Sequence, residues 1–168
     1  PVIAPGHLYA TGADPSGKQH HIYIGNTANI EASHFPESFD YVALGHIHRA
    51  QVVGGRDHVR YSGSLLPLRF SETKDDKGIY VLEWSGKKLD NIRSLAAPVF
   101  RRLKSIIGTL EEVQDSLSRF VKKEREGLEP WIEVTVHLDR MVPELNTVLQ
   151  DTLEQAGGGA SILKRQAR

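Results

Sequence analysis

Tyr41-Val42-Ala43-Leu44-Gly45-His46-Ile47-His48-Arg49 is the stretch that decides how this sequence of 168 residues folds. Its first four residues are continuously apolar, which is typical of a β-strand buried on both faces. Glycine ends the strand, and two histidines follow at positions i and i+2. On extended backbone the imidazoles of His46 and His48 would point to the same side and could reach one metal ion or two neighbouring ones. Taken alone, so short a pattern favours a hairpin that carries two chance histidines.

Two other segments shift the balance towards a functional site. Ile3-Ala4-Pro5-Gly6-His7 repeats the order of apolar strand, glycine and histidine, although Pro5-Gly6 is expected to end the strand. Tyr61-Ser62-Gly63-Ser64 contains small residues that would let backbone lie close to the histidines. Two such strand–glycine–histidine units are difficult to attribute to core packing. Because functional residues often follow the ends of strands, the pattern indicates a site at one sheet edge.

Composition excludes several classes of protein. The sequence contains no cysteine, which excludes a disulfide framework, an iron–sulfur cluster and a thiolate nucleophile. Lys and Arg total 21, as do Asp and Glu, so the formal net charge is zero. This balance excludes a strongly basic protein that coats nucleic acid through its overall charge. No apolar run approaches the roughly 20 residues of a membrane span, and a cytoplasmic location is expected. Since the sequence begins with Pro1 and not with Met, we expect its start to be processed, engineered or cut out of something longer.

Residues 1–98 are predicted to form short strands separated by loops. Besides the strand at Tyr41–Leu44, strands are expected in these segments: His21–Ile24, Gln51–Val53, His58–Tyr61 and Ile79–Trp84. Gly54-Gly55 is expected to join the middle two as a hairpin on a two-residue turn. This part also carries most of the histidines.

Residues 99–168 have a different pattern, and we place the boundary near Ala97-Pro98. The sequence predicts, in order, a strand at Val99–Ile107, a helix starting at the capping box Thr109–Glu112, a strand at Trp131–Leu138, a helix with Pro143 in its first turn, and a strand at Ser161–Leu163. Trp131 is expected to be a packing anchor. This β-α-β-α-β order indicates a small module, and the whole chain is assigned to the α+β class.

Three motifs in this order, Gly6-His7, Gly45-His46-Ile47-His48 and Tyr61-Ser62-Gly63-Ser64, resemble the C-terminal half of calcineurin-like metallophosphoesterases. Residues 40–51 and 58–68 are similar, more narrowly, to the D-subunit family of bacterial SbcCD nucleases, which act in double-strand-break repair. The resemblance implies that residues 1–98 are the C-terminal part of a metallophosphoesterase β-sandwich-type α/β fold. It also implies that residues 99–168 are that family's capping domain.

The resemblance further implies a site and an activity. His7 and His46 would serve one metal and His48 the other in a pair that is typically manganese. The implied reaction is metal-dependent phosphodiester hydrolysis in DNA, exonucleolytic on duplex ends and endonucleolytic on single strands. Its setting would be DNA repair, recombination and replication in the bacterial cytoplasm, with an SbcC-type ATPase as partner and a homodimer of the full-length protein. Arg49 and Arg60 are candidates for contacting DNA phosphate, although Arg49 could equally pair with a carboxylate.

The sequence departs from this family's pattern in one important respect. The family's Asp-x-His, Gly-Asp and Asn-His-Asp motifs, which supply carboxylate ligands and a general-acid histidine, do not occur in the 168 residues. We therefore expect an internal or C-terminal portion of the nuclease chain that is inactive when isolated. Two alternatives stay open: a metallophosphoesterase acting on small phosphodiesters or phosphoproteins, and a non-catalytic scaffold or DNA clamp.

The remaining histidines and the basic clusters are expected to lie on the surface. The histidines concerned are His20, His21, His34, His58 and His137. Arg101-Arg102, Lys122–Arg125 and Lys164-Arg165 could form a DNA-facing surface, but the acidic residues interleaved with them favour solvated charge.

Overall fold

The structure, a computed structural model, describes residues 1–11, 13, 30–122, 128–139 and 142–167. The strand expected at His21–Ile24 lies outside these residues, as do His20 and His21. The chain divides into two compact units, Pro1–Pro98 and Val99–Arg168. Its mixture of strands and helices is compatible with the expected α+β class. None of the helices in the described ranges is long and apolar enough to cross a membrane.

Strands dominate the first unit. They are β1 (Ile3–His7), β2 (Ala10–Thr11), β3 (Ile30–Glu31), β4 (Tyr41–Gly45), β5 (Gln51–Val53), β6 (Arg56–Tyr61), β7 (Gly78–Ser85) and β8 (Lys88–Ala96), with 3₁₀ turns at Ala32–His34 and Phe70–Glu72. The main sheet has the order β1-β4-β6-β5. β4 lies parallel to β1 and to β6, whereas β5 is antiparallel to β6. β2 and β3 form a second, parallel pair.

The parallel pairing brings the ends of three strands to one edge of the sheet. His7 at the end of β1 pairs with Gly45 at the end of β4. On the other side of β4, Leu44 pairs with Tyr61 at the end of β6. Because parallel strands share the edge at which they end, the segments that follow these strands must leave the sheet side by side.

The prediction that Pro5-Gly6 ends the first strand is wrong. β1 continues through both residues to His7, with Pro5 paired to Ala43 and Gly6 to Leu44. Proline is tolerated because β1 is the terminal strand of the sheet as described, so its missing N–H breaks no ladder of a central strand. The longer strand holds His7 on the sheet, where its register is fixed.

The predicted hairpin between β5 and β6 is confirmed. Gly54 and Gly55 have φ angles of +59° and +71°, the left-handed values that a two-residue turn of this kind requires. β6 begins at Arg56, two residues earlier than expected. The strand predicted at Ile79–Trp84 is also present, as β7.

Sequence reasoning missed β8, which pairs with β7 in an antiparallel hairpin. Its nine residues are nearly all exposed, and only Leu89 and Ile92 are half-buried. A strand without an alternating apolar face gives no periodic signal. Its presence is fixed by pairing with β7 and by the turn at Gly86, which has a φ of +62°.

The second unit has the predicted β-α-β-α-β order. Its elements are β9 (Arg101–Thr109), α1 (Leu110–Lys122), β10 (Leu128–His137), α2 (Leu145–Gln155) and β11 (Ser161–Ala167). The strands are all parallel and lie in the order β11-β10-β9.

The capping box is confirmed, because the Thr109 amide donates to the Glu112 carboxylate and the Glu112 amide donates to Thr109 Oγ1. Pro143, expected in the first turn of α2, precedes it, and Glu144 with a φ of +56° separates the two.

Apolar side chains form the hydrophobic core of the second unit. Ile132, Val134 and Val136 of β10 are completely buried among residues that include Leu117 of α1 and Leu149 of α2. Trp131 points to the opposite face, since neighbouring residues of a strand alternate. It is 39% exposed, and the Arg101 guanidinium lies 4.2 Å from its ring centroid. The expectation that Trp131 anchors the core is therefore wrong.

Candidate metal centre

His7 and His46 lie together at the carboxyl edge of the main sheet. Their ring centroids are 5.4 Å apart and the rings are nearly perpendicular, at 83°. Gly45 makes this arrangement possible, since a Cβ there would lie 3.0 Å from His7 Nδ1. Gly45, which ends β4, thus leaves the space that the ring of His7 occupies.

His46 has an unusual backbone conformation for a side-chain-bearing residue, with a φ of +107°. Such conformations are strained and tend to occur at functional sites, where the surroundings enforce them. Desolvation lowers the pKa of His46, and the neighbouring His7 and His48 lower it further. The lowered pKa favours the neutral imidazole, which is the form that binds a metal ion.

The His48 ring is hydrogen-bonded to Glu72, an acidic residue that the sequence analysis did not single out. Its Nδ1 lies 2.9 Å from Oε1 of Glu72, which is only 1% exposed and stands 24 residues further along the chain. Burial by itself would raise the pKa of Glu72, but hydrogen bonds from His48, Lys77 and the Leu68 amide outweigh burial and hold that pKa below its usual value. Because an ionised carboxylate only accepts, the His48 Nδ1–H donates, and Nε2 is the nitrogen left for a ligand.

The loop after β6 lies against the segment that contains His48. The small residues of that loop, Ser62, Gly63 and Ser64, predicted this close approach. The Ser64 amide donates to the His48 carbonyl at 3.1 Å. Gly63 has a φ of +77°, and a Cβ there would come within 2.9 Å of the Ala50 amide nitrogen. Lys77 joins these segments, because its ammonium donates to the His48 carbonyl, to Ser64 Oγ and to Glu72.

Within the described residues, no group of three or more histidine, aspartate or glutamate side chains is arranged to hold a metal ion. The imidazoles of His7 and His46 are close enough to share a ligand, and His48 has the supporting carboxylate that metal-binding histidines usually have. Manganese favours oxygen donors, so imidazoles alone are an incomplete shell for it. Among the described residues, the three histidines therefore do not form a complete metal site.

The two arginines proposed as DNA contacts both have partners within the chain. Arg49 makes an ion pair with Asp75, with Nε and NH2 each 3.0 Å from Oδ1. Arg60 donates from Nε to the Asp57 carbonyl at 2.6 Å, and its guanidinium lies 5.2 Å from the Tyr80 ring centroid. For Arg49, the carboxylate pairing left open by the sequence is the arrangement present.

The basic clusters of the second unit are partly paired or stacked. Lys164 donates to Glu133 at 2.6 Å, and Arg101 lies over Trp131. Residues 123–127 lie outside the described ranges, so the cluster at Lys122–Arg125 is described only at Lys122. These contacts favour the interpretation of the clusters as surface charge.

Comparison with known proteins gives a consistent set of relatives. Residues 99–159 match the SbcD_C family model, described as the type 5 capsule protein repressor C-terminal domain. The chain is 35% identical over 154 residues to the D-subunit of nuclease SbcCD from Escherichia coli (strain K12), a match covering 92% of this chain and 38% of that protein. It is 35% identical over 159 residues to the Rhodobacter capsulatus protein of the same name, covering 92% of this chain and 39% of that one. The Staphylococcus saprophyticus protein of that name is 30% identical over 152 residues, covering 90% and 39%. The chain therefore spans about two fifths of the length of these curated relatives.

Proposed function

The chain belongs to the D-subunit family of SbcCD nucleases, and on that premise we propose that it supplies the histidine side of a metal-dependent DNA nuclease site and a capping domain. Residues 1–98 would be the C-terminal part of the metallophosphoesterase domain. Residues 99–168 would be the capping domain. The reaction would be phosphodiester hydrolysis in DNA, exonucleolytic on duplex ends and endonucleolytic on single strands.

A single observation carries this proposal, namely that β1, β4 and β6 run parallel and end at one edge of a sheet. Their ends place His7 beside His46, with the loop of Ser64 against the backbone of His48. Positions that are far apart in sequence are thereby brought to one edge of the sheet. Functional groups commonly gather at the carboxyl ends of parallel strands.

Each histidine would have a distinct part in binding two manganese ions. His7 and His46 would hold one ion, and neutral His46 offers a lone pair without first losing a proton. His48 would hold the other through Nε2, with its ring fixed by Glu72. When bound, such a metal pair lowers the pKa of a bound water and stabilises the charged phosphoryl transition state.

The complete activity would need groups beyond those described in this chain. Among the described residues, no carboxylate lies with these histidines in a group of three or more possible metal ligands. The isolated chain is therefore expected to be inactive. In the bacterial cell, the full-length protein would act in the cytoplasm as a homodimer with an SbcC-type ATPase. That complex would process DNA ends during repair, recombination and replication.

A chimaera tests the proposal directly. This chain would replace the matching segment of the Escherichia coli relative, and manganese-dependent cleavage of linear duplex DNA would be measured in complex with the ATPase. We expect cleavage by the chimaera, loss of cleavage in its His46→Asn form, and unchanged cleavage in the matched control His58→Asn. Cleavage that survives both His46→Asn and His48→Asn would refute the proposed metal role.

A second candidate function is a non-catalytic DNA clamp, favoured by the absence of a three-ligand metal group among the described residues. The same chimaera separates the candidates. Under the clamp hypothesis it would bind duplex DNA but would not cleave it, with or without His46. Cleavage of bis-p-nitrophenyl phosphate without cleavage of DNA would instead indicate an enzyme for small phosphodiesters.

A further inference from the structure

We propose that Glu72, supported by Lys77, is a positioning residue that fixes the ring and tautomer of His48 so that Nε2 is presented as a ligand nitrogen. This inference rests on the proposed function, in which His48 binds a metal. It adds two residues to the site that carry no recognisable motif in the sequence. Neither would touch the metal or the substrate.

Both carboxylate oxygens of Glu72 are occupied, and they have different partners. Oε1 lies 2.9 Å from His48 Nδ1. Oε2 accepts from the Leu68 amide at 3.1 Å and from Lys77 Nζ at 2.9 Å. The side chain has no exposed surface, so the carboxylate cannot turn towards water. Glu72 therefore presents one fixed acceptor to the histidine.

Lys77 completes the support by holding the backbone of His48 as well as Glu72. Its side chain is 8% exposed, and its three ammonium donors match three acceptors. These acceptors are the His48 carbonyl at 2.9 Å, Ser64 Oγ at 3.0 Å and Glu72 Oε2 at 2.9 Å. The ring and the main chain of His48 are thus fixed by two bonded side chains.

A purely stabilising role explains this arrangement less well. Buried ion pairs contribute little net stability, because removing both charges from water costs about as much as their attraction returns. Here one oxygen of the buried carboxylate is directed at an imidazole whose side chain is 27% exposed. A carboxylate that accepts from the second ring nitrogen is one of the usual partners of a metal-binding histidine, and it fixes the tautomer and orientation of the ring.

Glu72→Gln gives a sharp test, because the amide has only one acceptor oxygen. That oxygen must face the Leu68 amide and Lys77, which both donate. The amide nitrogen would then donate to His48 Nδ1, and the ring proton would move to Nε2. We expect the imidazole ¹⁵N spectrum of the full chain to show His48 as the Nδ1–H tautomer and Glu72→Gln as the Nε2–H tautomer. In the chimaera, the manganese affinity of the same variant, followed by electron paramagnetic resonance, should fall about tenfold.

Glu133→Gln is the matched control, since Glu133 also bonds a lysine but no histidine. It should change neither the His48 tautomer nor the manganese affinity. An Nε2–H tautomer in the unmodified chain would overturn the proposal, and so would an unchanged tautomer in Glu72→Gln. The first of these outcomes needs no variant, so it remains decisive if Glu72→Gln fails to fold. A tautomer switch in a chimaera that binds no manganese would uphold the positioning by Glu72 and count against the proposed metal role.

Discussion

The two units of this chain differ in what they bury. The second unit packs apolar side chains between a parallel sheet and two helices, and its buried polar residues are only Thr135 and Thr152 among those described. The first unit buries Glu72 with Lys77 beside it, and it holds His46 at a positive φ. Apolar burial provides stability without needing exact geometry, whereas buried charge costs free energy unless its partners are fixed. The difference indicates that polar contacts in the first unit position side chains, while packing in the second provides its stability.

The largest effect should come from Leu117→Ala, which opens a cavity in the core of the second unit. Leu117 is completely buried, so the loss should be about 3 kcal/mol in the free energy of unfolding. Urea denaturation followed by NMR signals of α1 would measure the loss. Leu163→Ala, at a side chain that is 53% exposed, should change the same quantity by less than about 0.5 kcal/mol. Equal losses for the two variants would contradict an apolar core as the source of stability.

Gly63→Ala should damage the first unit at the point where the loop after β6 meets the backbone of His48. The new Cβ would lie 2.9 Å from the Ala50 nitrogen and 3.0 Å from the His48 carbonyl oxygen, at a residue with positive φ. We expect a loss of about 2 kcal/mol and shifted ring signals of His48. Gly86→Ala is the control, because Gly86 has a φ of +62° but open space around it. If both variants behaved alike, the close approach of the loops would have no role.

Tyr61→Phe tests a buried hydrogen-bonding group that ties strand ends of the first unit together. The Tyr61 hydroxyl accepts from the Ala10 amide at 2.7 Å and donates to the Leu8 carbonyl at 2.8 Å. Its removal leaves the buried amide without this acceptor, at an expected cost of about 1.5 kcal/mol in the free energy of unfolding. Tyr80→Phe, on half-buried β7, should cost less in the same denaturation experiment.

The same substitution should change the response to alkaline pH. Burial raises the pKa of Tyr61 above its usual 10.0. The folded state therefore favours the protonated phenol, and this contribution is present below pH 10 and is lost as pH rises through the higher folded-state value. Between these limits, the free energy of unfolding should fall less steeply with pH in Tyr61→Phe than in the unmodified chain. Identical slopes would show that the phenol has an ordinary pKa.

Thr109→Ala should have the smallest effect, because it removes one bond at the start of α1. Thr109 Oγ1 accepts from the Glu112 amide at 3.3 Å, and loss of such a cap costs about 1 kcal/mol. Thr109→Ser keeps the hydroxyl and should retain most of the stability in the same urea experiment. A loss in Thr109→Ser as large as in Thr109→Ala would assign the effect to the methyl group.

Elements with a strong periodic or turn signal were predictable. The alternation of Ile132, Val134 and Val136 predicted β10 because every second residue of a strand faces the same side of the sheet. Gly54-Gly55 predicted its hairpin because both residues need a positive φ. β8 was missed, since its pairing with β7 depends on main-chain bonds that leave no apolar pattern.

The candidate site was predictable only in part. The glycine–histidine motifs identified His7, His46 and His48, and the small residues around Gly63 predicted a close approach that is present. The buried support of His48 by Glu72 was not predictable, because the two lie 24 residues apart and no local spacing connects them. The partner of Arg49 was left open for the same reason, since Asp75 reaches it only through the fold.

Sequence by itself determined the types of side chain available, the order of the elements in the second unit, and the absence of thiol chemistry. These properties depend on local patterns such as apolar period, turn residues and caps, which act over a few residues. Tertiary structure alone decided the register that sets His7 against Gly45, the positive φ of His46, and the tautomer-setting contact of Glu72. Those features depend on distances between residues remote in the chain, and only packing of the strands and loops fixes such distances.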